Sequence, residues 1–246
     1  MSDQRVLLAW SSGKDSAFTL HVLRAQGVAV AGLLTTINEA FERVAMHAVR
    51  LSLLRAQAEA VGVPLVEVGI PSPCPNEAYE AAMSAAMAAA RERGITAVAF
   101  GDLFLEDVRR YREERLAGTG LRALFPLWGR PTRELAEEMI ALGQKAVLTC
   151  VDPRALPRAF AGRAFDTALL RDLPANVDAC GENGEFHSFA WDGPAFQRPV
   201  PVRPGEVVER EGFVFADLTL DQSGASAPAA PDWSTLAAPR PAQDVS

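Results

Sequence analysis

The sequence predicts an α/β fold, with a doubly wound parallel sheet followed by a second, smaller α/β domain. Short apolar runs alternate with helical patterns in the first half of the chain, which is typical of a parallel sheet covered by helices on both faces. The opening run, residues 6–10, is apolar throughout and suits a strand buried on both sides. Glycines and prolines then cluster between Gly118 and Pro131, where we place the junction between the domains.

The elements of the first domain follow the opening strand in order. A helix is expected directly after it, because Phe18, Val22 and Ala25 recur at helical spacing. Further strands are expected at residues 28–36, 65–68 and 97–100, and further helices at residues 43–61 and 77–93. The helix at 43–61 is indicated by a stripe of residues three and four positions apart, namely Val44, His47, Leu51, Leu54, Ala58 and Val61.

The second domain begins with a helix start at Pro131-Thr132 and continues into a strand at residues 145–151. Strands are also expected at residues 185–191, 206–210 and 213–220. The last stretch is rich in alanine, proline and serine without periodicity, which predicts a disordered tail. The expected boundaries are residues 1–125, 126–220 and 221–246.

Composition and charge limit the classes of function. The chain has 246 residues, of which 49% are hydrophobic and 22% charged, as in soluble globular proteins. No apolar run is long enough to cross a bilayer and the N-terminus lacks the pattern of a secretion signal, so we expect a cytoplasmic protein. Cys74, Cys150 and Cys180 are widely separated, which indicates neither disulfides nor a zinc site. A net charge of −7 argues against a broad nucleic-acid surface.

The loop between the first strand and the first helix consists of Ser11, Ser12, Gly13, Lys14, Asp15 and Ser16. Small side chains let backbone N–H groups approach an anion, and the positive end of the following helix points to the same place. The loop is not a Walker A motif, because Asp15 stands where a serine or threonine must follow the lysine. The Ser11–Ser16 loop therefore predicts a phosphate site, with a tight turn without ligand as the alternative.

Other polar residues are expected beside this loop, because the carboxyl ends of parallel strands meet at one edge of a sheet. Thr35 lies near the end of the second strand, and Gly101 and Asp102 follow the fourth. Asp102 is a candidate ligand of Mg²⁺, which prefers one or two carboxylates together with phosphate oxygens. For His47 the pattern favours a buried core histidine, with a nucleotide contact as the alternative.

A second segment with chemically active side chains runs from Gly181 to Ser188. Its two glycines permit sharp turns, and Glu182, Glu185 and His187 offer groups for acid–base chemistry or metal binding. A decorated hairpin turn has the same residue types, so residue types alone leave both interpretations open. Residues 106–111 have a similar alternative, a solvated helix with ion pairs one turn apart.

The Ser11–Ser16 loop resembles the pyrophosphate loop, Ser-Gly-Gly-x-Asp-Ser, of the N-type ATP pyrophosphatases. Those enzymes split ATP between the α and β phosphates and attach AMP to a substrate. Ser12 stands where that family usually has its first glycine. A serine makes the same turn when its φ angle stays negative.

Residues 6–218 resemble the diphthine-ammonia ligase family, the ATP-binding domain 4 group of pyrophosphate-loop enzymes. Besides the loop, the match covers Met46-His47, Gly101-Asp102, Glu106-Asp107 with Arg109, Leu127-Trp128-Gly129, and Gly-Glu-Asn-Gly-Glu-Phe-His at 181–187. The resemblance implies an adenine nucleotide alpha-hydrolase-like, Rossmann-like first domain. It also implies a small C-terminal domain that places its glutamate-rich segment against the nucleotide site.

The resemblance further implies the reaction, its cofactors and its partners. ATP, with Mg²⁺, would adenylate a small-molecule or protein-borne carboxylate, and ammonia would then attack the acyl-adenylate to give an amide. The Ser11–Ser16 loop would hold the phosphates, with Lys14 offsetting developing charge and Asp102 placing Mg²⁺. Glu182, Glu185 and His187 would face the acceptor or ammonia, and Thr35, His47 and Gly101 would line the nucleotide site. A homodimer is also expected.

Other functions use the same superfold. A nucleotide sensor or hydrolase would hold ATP without ligase chemistry. An electron-transfer flavoprotein-like subunit would bind flavin, and the Ser11–Ser16 loop argues against it. Sulfur transfer to tRNA normally needs paired catalytic cysteines and a basic face, and the sequence indicates neither.

Overall fold

The structure, a computed structural model, describes residues 4–38, 43–44, 49–71 and 73–221. Met46, His47 and the predicted tail from residue 222 onward lie outside these ranges. Within them, no helix combines the length and the apolar character needed to cross a membrane.

The first sheet and its helices occupy the first half of the chain. The strands are β1 (Arg5–Ala9), β2 (Ala29–Asn38), β3 (Arg43–Val44), β4 (Leu65–Ile70), β5 (Ala97–Ala99) and β6 (Arg122–Leu124). The helices between them are α1 (Lys14–Ala25), α2 (Leu51–Val61), α3 (Asn76–Glu92) and α4 (Glu106–Leu116).

Five strands of this sheet are parallel and lie in the order β4-β2-β1-β5-β6. The chain runs outward from β1 through β2 to β4 and then returns to β5 and β6 on the other side of β1. The strand order therefore reverses between β1 and β5, the position at which open α/β sheets bind ligands. The predicted fold class, a doubly wound parallel sheet with a smaller second domain, is confirmed.

Both faces of the sheet are buried. Successive side chains of a strand point to opposite faces. Val6 and Leu8 accordingly join a core with α1 and α2, whereas Leu7 joins a second core with α3 and the end of α4. This arrangement explains why residues 6–9 of β1 are apolar without alternation.

The second sheet is antiparallel, with the strand order β8-β7-β10-β9. Its elements are α5 (Thr132–Ala141), β7 (Lys145–Val151), a 3₁₀ turn (Arg158–Phe160), α6 (Thr167–Asp172), β8 (Phe186–Asp192), β9 (Val202–Arg210) and β10 (Phe213–Leu220). Val147, Phe189 and Val214 of this sheet belong to the same buried core as α1 and α2. One continuous core therefore joins the two sheets.

The helix predicted at 43–61 is wrong at its start. Residues 43–44 form β3, which pairs antiparallel with the end of β2 through Ile37 and Val44, and α2 begins at Leu51. Val44 has helical spacing to Leu51, but a β-branched residue also fits a strand, and here it pairs with the extended end of β2. The segment predicted as the domain junction also contains β6, which completes the first sheet. The domain boundaries themselves stay a prediction.

Candidate functional site

The structure places the Ser11–Ser16 loop and Gly101 in contact at the point where the strand order reverses. A Cβ atom at Gly101 would lie 3.3 Å from the carbonyl carbon of Asp15 and 3.3 Å from the amide nitrogen of Ser16. Glycine therefore lets the end of β5 approach the first turn of α1. Asp102, the next residue, is brought beside the loop, as the sheet topology predicts.

The carbonyl group of Ser12 is held by residues behind the loop. It accepts hydrogen bonds from the side-chain amide of Gln57 at 3.0 Å and from the backbone N–H of Ala190 in β8 at 2.9 Å. Gln57 is fully buried, and its side chain also donates to the carbonyl of Ala190 and accepts from Nε1 of Trp10 at 3.0 Å. The end of β1, the loop and the second sheet thus meet at one glutamine.

Lys14 has its backbone fixed in the same way. Its carbonyl accepts a hydrogen bond from the Gln144 side chain at 2.7 Å, and its N–H donates to Oγ of Ser188 at 3.2 Å. Gly13 offers no side-chain cap to α1, and the N–H groups of Asp15 and Ser16 have no acceptor in the part of the chain that the structure describes. These unpaired amides at the positive end of a helix suit an anion.

Hydroxyl groups brace the loop from within. Oγ of Ser11 accepts from the N–H of Gly13 and donates to Oγ of Ser16, both at 3.3 Å, and Ser16 donates to the Gly13 carbonyl at 3.0 Å. Thr35 donates to the carbonyl of Trp10 at 2.7 Å, which ties the ends of β1 and β2 together. Thr35 thereby shapes the strand edge beside the loop.

The backbone of Ser12 differs from the conformation expected for a serine in this loop. Its φ angle is +68°, in the left-handed region that favours glycine, rather than negative. Its Oγ atom is buried and makes no hydrogen bond in the described structure. The hydrogen bonds to its carbonyl hold the residue in a conformation that its side chain opposes.

The side chain of Lys14 points into the interior and is 2% exposed. Nζ donates to Oδ2 of Asp15 at 2.8 Å and to the carbonyl of Cys180, and it lies over the rings of Phe165 and Phe186 at 5.4 and 5.3 Å. Burial by itself lowers the pKa of Lys14, but the Asp15 carboxylate and other nearby groups outweigh it and raise that pKa. The lysine is therefore charged, and it links the loop to the second domain.

The carboxyl groups of Asp15, Asp102 and Glu182 lie close to one another beside the loop. Burial raises the pKa of Asp102, although Arg112, with its Nε atom 3.5 Å from Oδ2, opposes that shift. Burial likewise raises the pKa of Glu182 to about 7, while a hydrogen bond of 2.7 Å from the N–H of Leu103 favours its charged form. Oδ1 of Asp15 is buried without a hydrogen bond among the described residues, and Oδ2 of Asp102 is buried with only the longer ion pair to Arg112. Such carboxylate oxygens suit a cation.

Within the Gly181–Ser188 segment, the two glutamates have different surroundings. Glu185 is buried and accepts hydrogen bonds of 3.0 Å from the N–H of Asp178 and from both the N–H and the side-chain amide of Asn183. Asp178 in turn accepts from the N–H groups of Cys180 and Glu182 at 3.0 Å. Glu185 thus shapes the turn, whereas Glu182 reaches across to the first domain.

His187 lies on β8, opposite Cys150 of β7. Burial, together with the charge of Lys14, lowers the pKa of His187. A neutral imidazole at neutral pH can accept a proton.

The predicted polar face of α4 has a more specific arrangement than ion pairs alone. Arg109 pairs with Glu113 at 2.9 Å and lies over the rings of Phe125 and Trp128 at 5.1 and 4.8 Å. Arg112 lies over the ring of Phe100 at 5.1 Å. The inner side of α4 therefore carries arginines stacked on aromatic rings at the strand ends, where cation–π contacts replace apolar packing.

A cavity of about 500 Å³ opens between the start of α2 and the β9–β10 hairpin. Arg50 lines the cavity and pairs with Asp217, with its Nε atom 3.2 Å from Oδ1. Thr149, at the inner end, donates to the carbonyl of His187 at 3.4 Å. The cavity therefore adjoins the candidate site along β7 and β8.

Several residues of the site were not predicted from the sequence. Gln57 had a detectable signal, because it is a polar residue on the apolar side of α2, one turn beyond Leu54. Gln144, Asp178 and Arg112 had no such signal, because only the folded chain brings them to the site.

Comparison with known proteins bears on the same residues. The family model described as diphthamide synthase N-terminal domain matches residues 4–123, and that described as diphthamide synthase C-terminal domain matches residues 131–218. The chain belongs to the diphthine–ammonia ligase family.

Members of the diphthine–ammonia ligase family resemble the chain over most of its length. The Bos taurus diphthine–ammonia ligase is 28% identical over an alignment 242 positions long that covers 87% of this chain and 88% of that protein. The Danio rerio diphthine–ammonia ligase is 29% identical over an alignment of 241 positions that covers 87% of this chain and 92% of that protein. The Homo sapiens enzyme of the same name is 27% identical over an alignment of 242 positions that covers 87% of this chain and 88% of that protein. The family's two matched regions contain the Ser11–Ser16 loop and the Gly181–Ser188 segment respectively.

Proposed function

We propose that this protein is an ATP-dependent ligase that adenylates a carboxylate, releases pyrophosphate and forms an amide with ammonia. The observation that carries the proposal is the Ser11–Ser16 loop at the reversal of strand order, with its carbonyl groups held toward the protein and its first-turn N–H groups open. Membership of a family whose relatives are named diphthine–ammonia ligase supports the same reaction.

Phosphate binding by the loop follows from its backbone. The N–H groups of Asp15 and Ser16 would donate to phosphate oxygens, aided by the positive end of α1. Lys14 faces inward in this structure, so its charge would act on the phosphates from behind the loop while it holds Asp15 and the Cys180 carbonyl in place.

Mg²⁺ fits the charges of the site. The carboxyl groups of Asp15, Asp102 and Glu182 would repel ATP in the absence of a cation. Oδ1 of Asp15 is buried without a hydrogen bond in the described structure, and Oδ2 of Asp102 has only the 3.5 Å ion pair with Arg112, which Mg²⁺ would replace. Among the described residues, no three His, Cys, Asp or Glu side chains form a ready-made metal site. This suits Mg²⁺ held by one or two carboxylates and completed by phosphate oxygens, with Asp102 as its main protein ligand. When bound, the ion would neutralise charge on the phosphates.

Adenylation activates the acceptor because the oxygen of a carboxylate is a poor leaving group and AMP is a good one. Attack by ammonia on the acyl-adenylate then requires loss of a proton from the attacking nitrogen. Glu182, with its pKa near 7, and the neutral His187 are suited to accept that proton. Glu185 would act through the turn that it shapes. The acceptor carboxylate, small or protein-borne, would approach from the side of the second domain.

The reaction is tested by incubating the protein with ATP, Mg²⁺, ammonium and candidate carboxylates, including the diphthine that the relatives' names specify. Formation of AMP and pyrophosphate together with an amide is expected. ADP as the product would contradict adenylation, and binding of ATP without turnover would favour a nucleotide sensor.

Two variants assign the site in the same assay. Lys14→Met and Asp102→Asn should each lower AMP formation at least tenfold, with thermal melting used to check that the chain is folded. Glu137→Gln removes an exposed ion pair with Arg133 on α5 and is expected to behave as wild type. Undiminished turnover in both site variants would contradict the proposal. Light scattering of the purified protein tests the predicted homodimer.

A further inference from the structure

Two buried glutamines donate to carbonyl groups of the Ser11–Ser16 loop from opposite domains. Gln57, on α2, binds the carbonyl of Ser12, and Gln144, between α5 and β7, binds the carbonyl of Lys14. Both side chains are at most 2% exposed. Neither has a part in the proposed chemistry, so their position needs a separate explanation.

A loop that binds an anion must keep its carbonyl oxygens away from the ligand, because they carry partial negative charge. In a loop of small residues the peptide groups rotate easily, and a buried carbonyl without a donor is destabilising. A donor behind the loop therefore decides which side the N–H groups face. The amide of glutamine is suited to this task because it donates without adding a charge.

We propose that Gln57 and Gln144 are positioning residues for phosphate binding: Gln57 holds the carbonyl oxygen of Ser12 away from the ligand, and Gln144 fixes the first turn of α1 through the carbonyl of Lys14. The inference rests on the proposed function insofar as the Ser11–Ser16 loop is the phosphate site. It assigns part of the phosphate selectivity to the second domain, since Gln144, and the β8 residues Ser188 and Ala190, fix the same stretch of backbone.

The two glutamines differ in a way that separates positioning from stability. Gln57 makes three hydrogen bonds, whereas Oε1 of Gln144 is buried with no partner in the described structure. Replacing Gln144 by methionine of similar shape removes this unsatisfied oxygen together with the donor to Lys14, so the two effects on folding oppose one another. Q144M is therefore expected to fold with nearly wild-type stability and a loosened loop.

A matched control exists in β8. Nε1 of Trp191 is likewise buried without a partner among the described residues, and Trp191 makes no hydrogen bond to the loop. Trp191→Phe removes an unsatisfied polar atom from the same core and leaves the loop untouched.

The experiment measures the binding of Mg²⁺–pyrophosphate and Mg²⁺–ATP to the full chain by calorimetry. Thermal melting checks the folding of each variant, and steady-state kinetics give its KM and kcat for ATP. Q144M should weaken both ligands about tenfold, the equivalent of about 1.4 kcal/mol, and raise KM more than it lowers kcat. Q57M should weaken binding in the same direction, and W191F should bind as wild type. Wild-type binding by Q144M, or equal losses in W191F, would overturn the inference.

The outcomes also separate this inference from the proposed function. Suppose that the wild-type protein and the variants bind pyrophosphate with the expected order of affinities, but the wild-type protein forms no AMP. The ligase reaction then fails and the positioning role stands. If AMP forms in every variant with unchanged KM, the reaction stands and the positioning role fails.

Discussion

Ser12 occupies a backbone conformation that glycine adopts at lower cost. A left-handed φ costs a residue with a Cβ atom about 1 to 2 kcal/mol, and the buried Oγ of Ser12 adds an unsatisfied polar atom. Replacing Ser12 by glycine would relieve both costs, but the greater conformational freedom of glycine in the unfolded chain offsets about 0.5 to 1 kcal/mol of that stabilisation. S12G should therefore raise the free energy of unfolding by about 1 kcal/mol, measured by urea denaturation.

Glu211 provides the control for this substitution. It is the other non-glycine residue with positive φ in the described ranges, at +51°, and it lies in the exposed turn between β9 and β10. E211G relieves the same backbone strain far from the loop. A loss of stability in S12G, with a gain in E211G, would show that the Ser12 hydroxyl has a favourable partner.

Glu182 gives the stability of the protein a specific dependence on pH. Burial raises the pKa of Glu182 from 4.5 to about 7, so the folded state holds this proton more tightly than the unfolded chain. That contribution to stability is complete below about pH 4.5 and is lost as the pH rises through about 7. E182Q retains an acceptor for the Leu103 N–H and does not titrate. In metal-free buffer, the melting temperature of E182Q should match that of wild type at pH 5 and exceed it at pH 8. The same difference in melting temperature at both pH values would contradict the raised pKa of Glu182.

The contact between β5 and α1 makes a prediction at the scale of elements. A Cβ at Gly101 would lie 3.2 Å from Oγ1 of Thr19 and 3.3 Å from the backbone of Asp15 and Ser16. G101A must therefore displace the first turn of α1 by a few tenths of an ångström. We expect a loss of about 1 to 2 kcal/mol of stability and weaker ATP binding, measured by denaturation and calorimetry.

Gly118 serves as the comparison for G101A. Its φ angle is +75°, and a Cβ atom there would meet no atom of the described structure within 4 Å, so alanine adds backbone strain without a clash. G118A should lose a similar amount of stability and bind ATP as wild type. Equal effects on binding would mean that the G101A result reflects stability alone.

Elements were predictable where their signal is local. The spacing of apolar residues on α3 and the apolar run of β1 depend only on neighbours in the sequence, and both were placed within one residue. β3 and β6, of two and three residues, are too short to show periodicity and exist because neighbouring strands of the sheet offer them partners. The error at residues 43–44 has the same origin.

At the scale of the whole molecule, the shared core predicts cooperative unfolding. Phe18 of α1, Leu54 of α2 and Phe189 of β8 belong to one cluster, and hydrogen bonds from Gln57 and Lys14 cross between the sheets. We expect a single thermal transition, with the same midpoint by tryptophan fluorescence and far-ultraviolet circular dichroism, and a calorimetric enthalpy equal to the van't Hoff enthalpy. Two separated transitions would contradict this coupling.

The sequence by itself determined the fold class, the Ser11–Ser16 loop and its place beside Gly101 and Asp102. It could do so because strand periodicity is local and parallel strands deliver their carboxyl ends to a common edge. Only the tertiary structure decided which way the loop faces. The inward turn of Lys14, the positive φ of Ser12 and the support from Gln144 depend on contacts between residues far apart in the sequence, such as Lys14 with Cys180, 166 positions away. No local pattern encodes such contacts, because they arise only when the second sheet packs against the first domain.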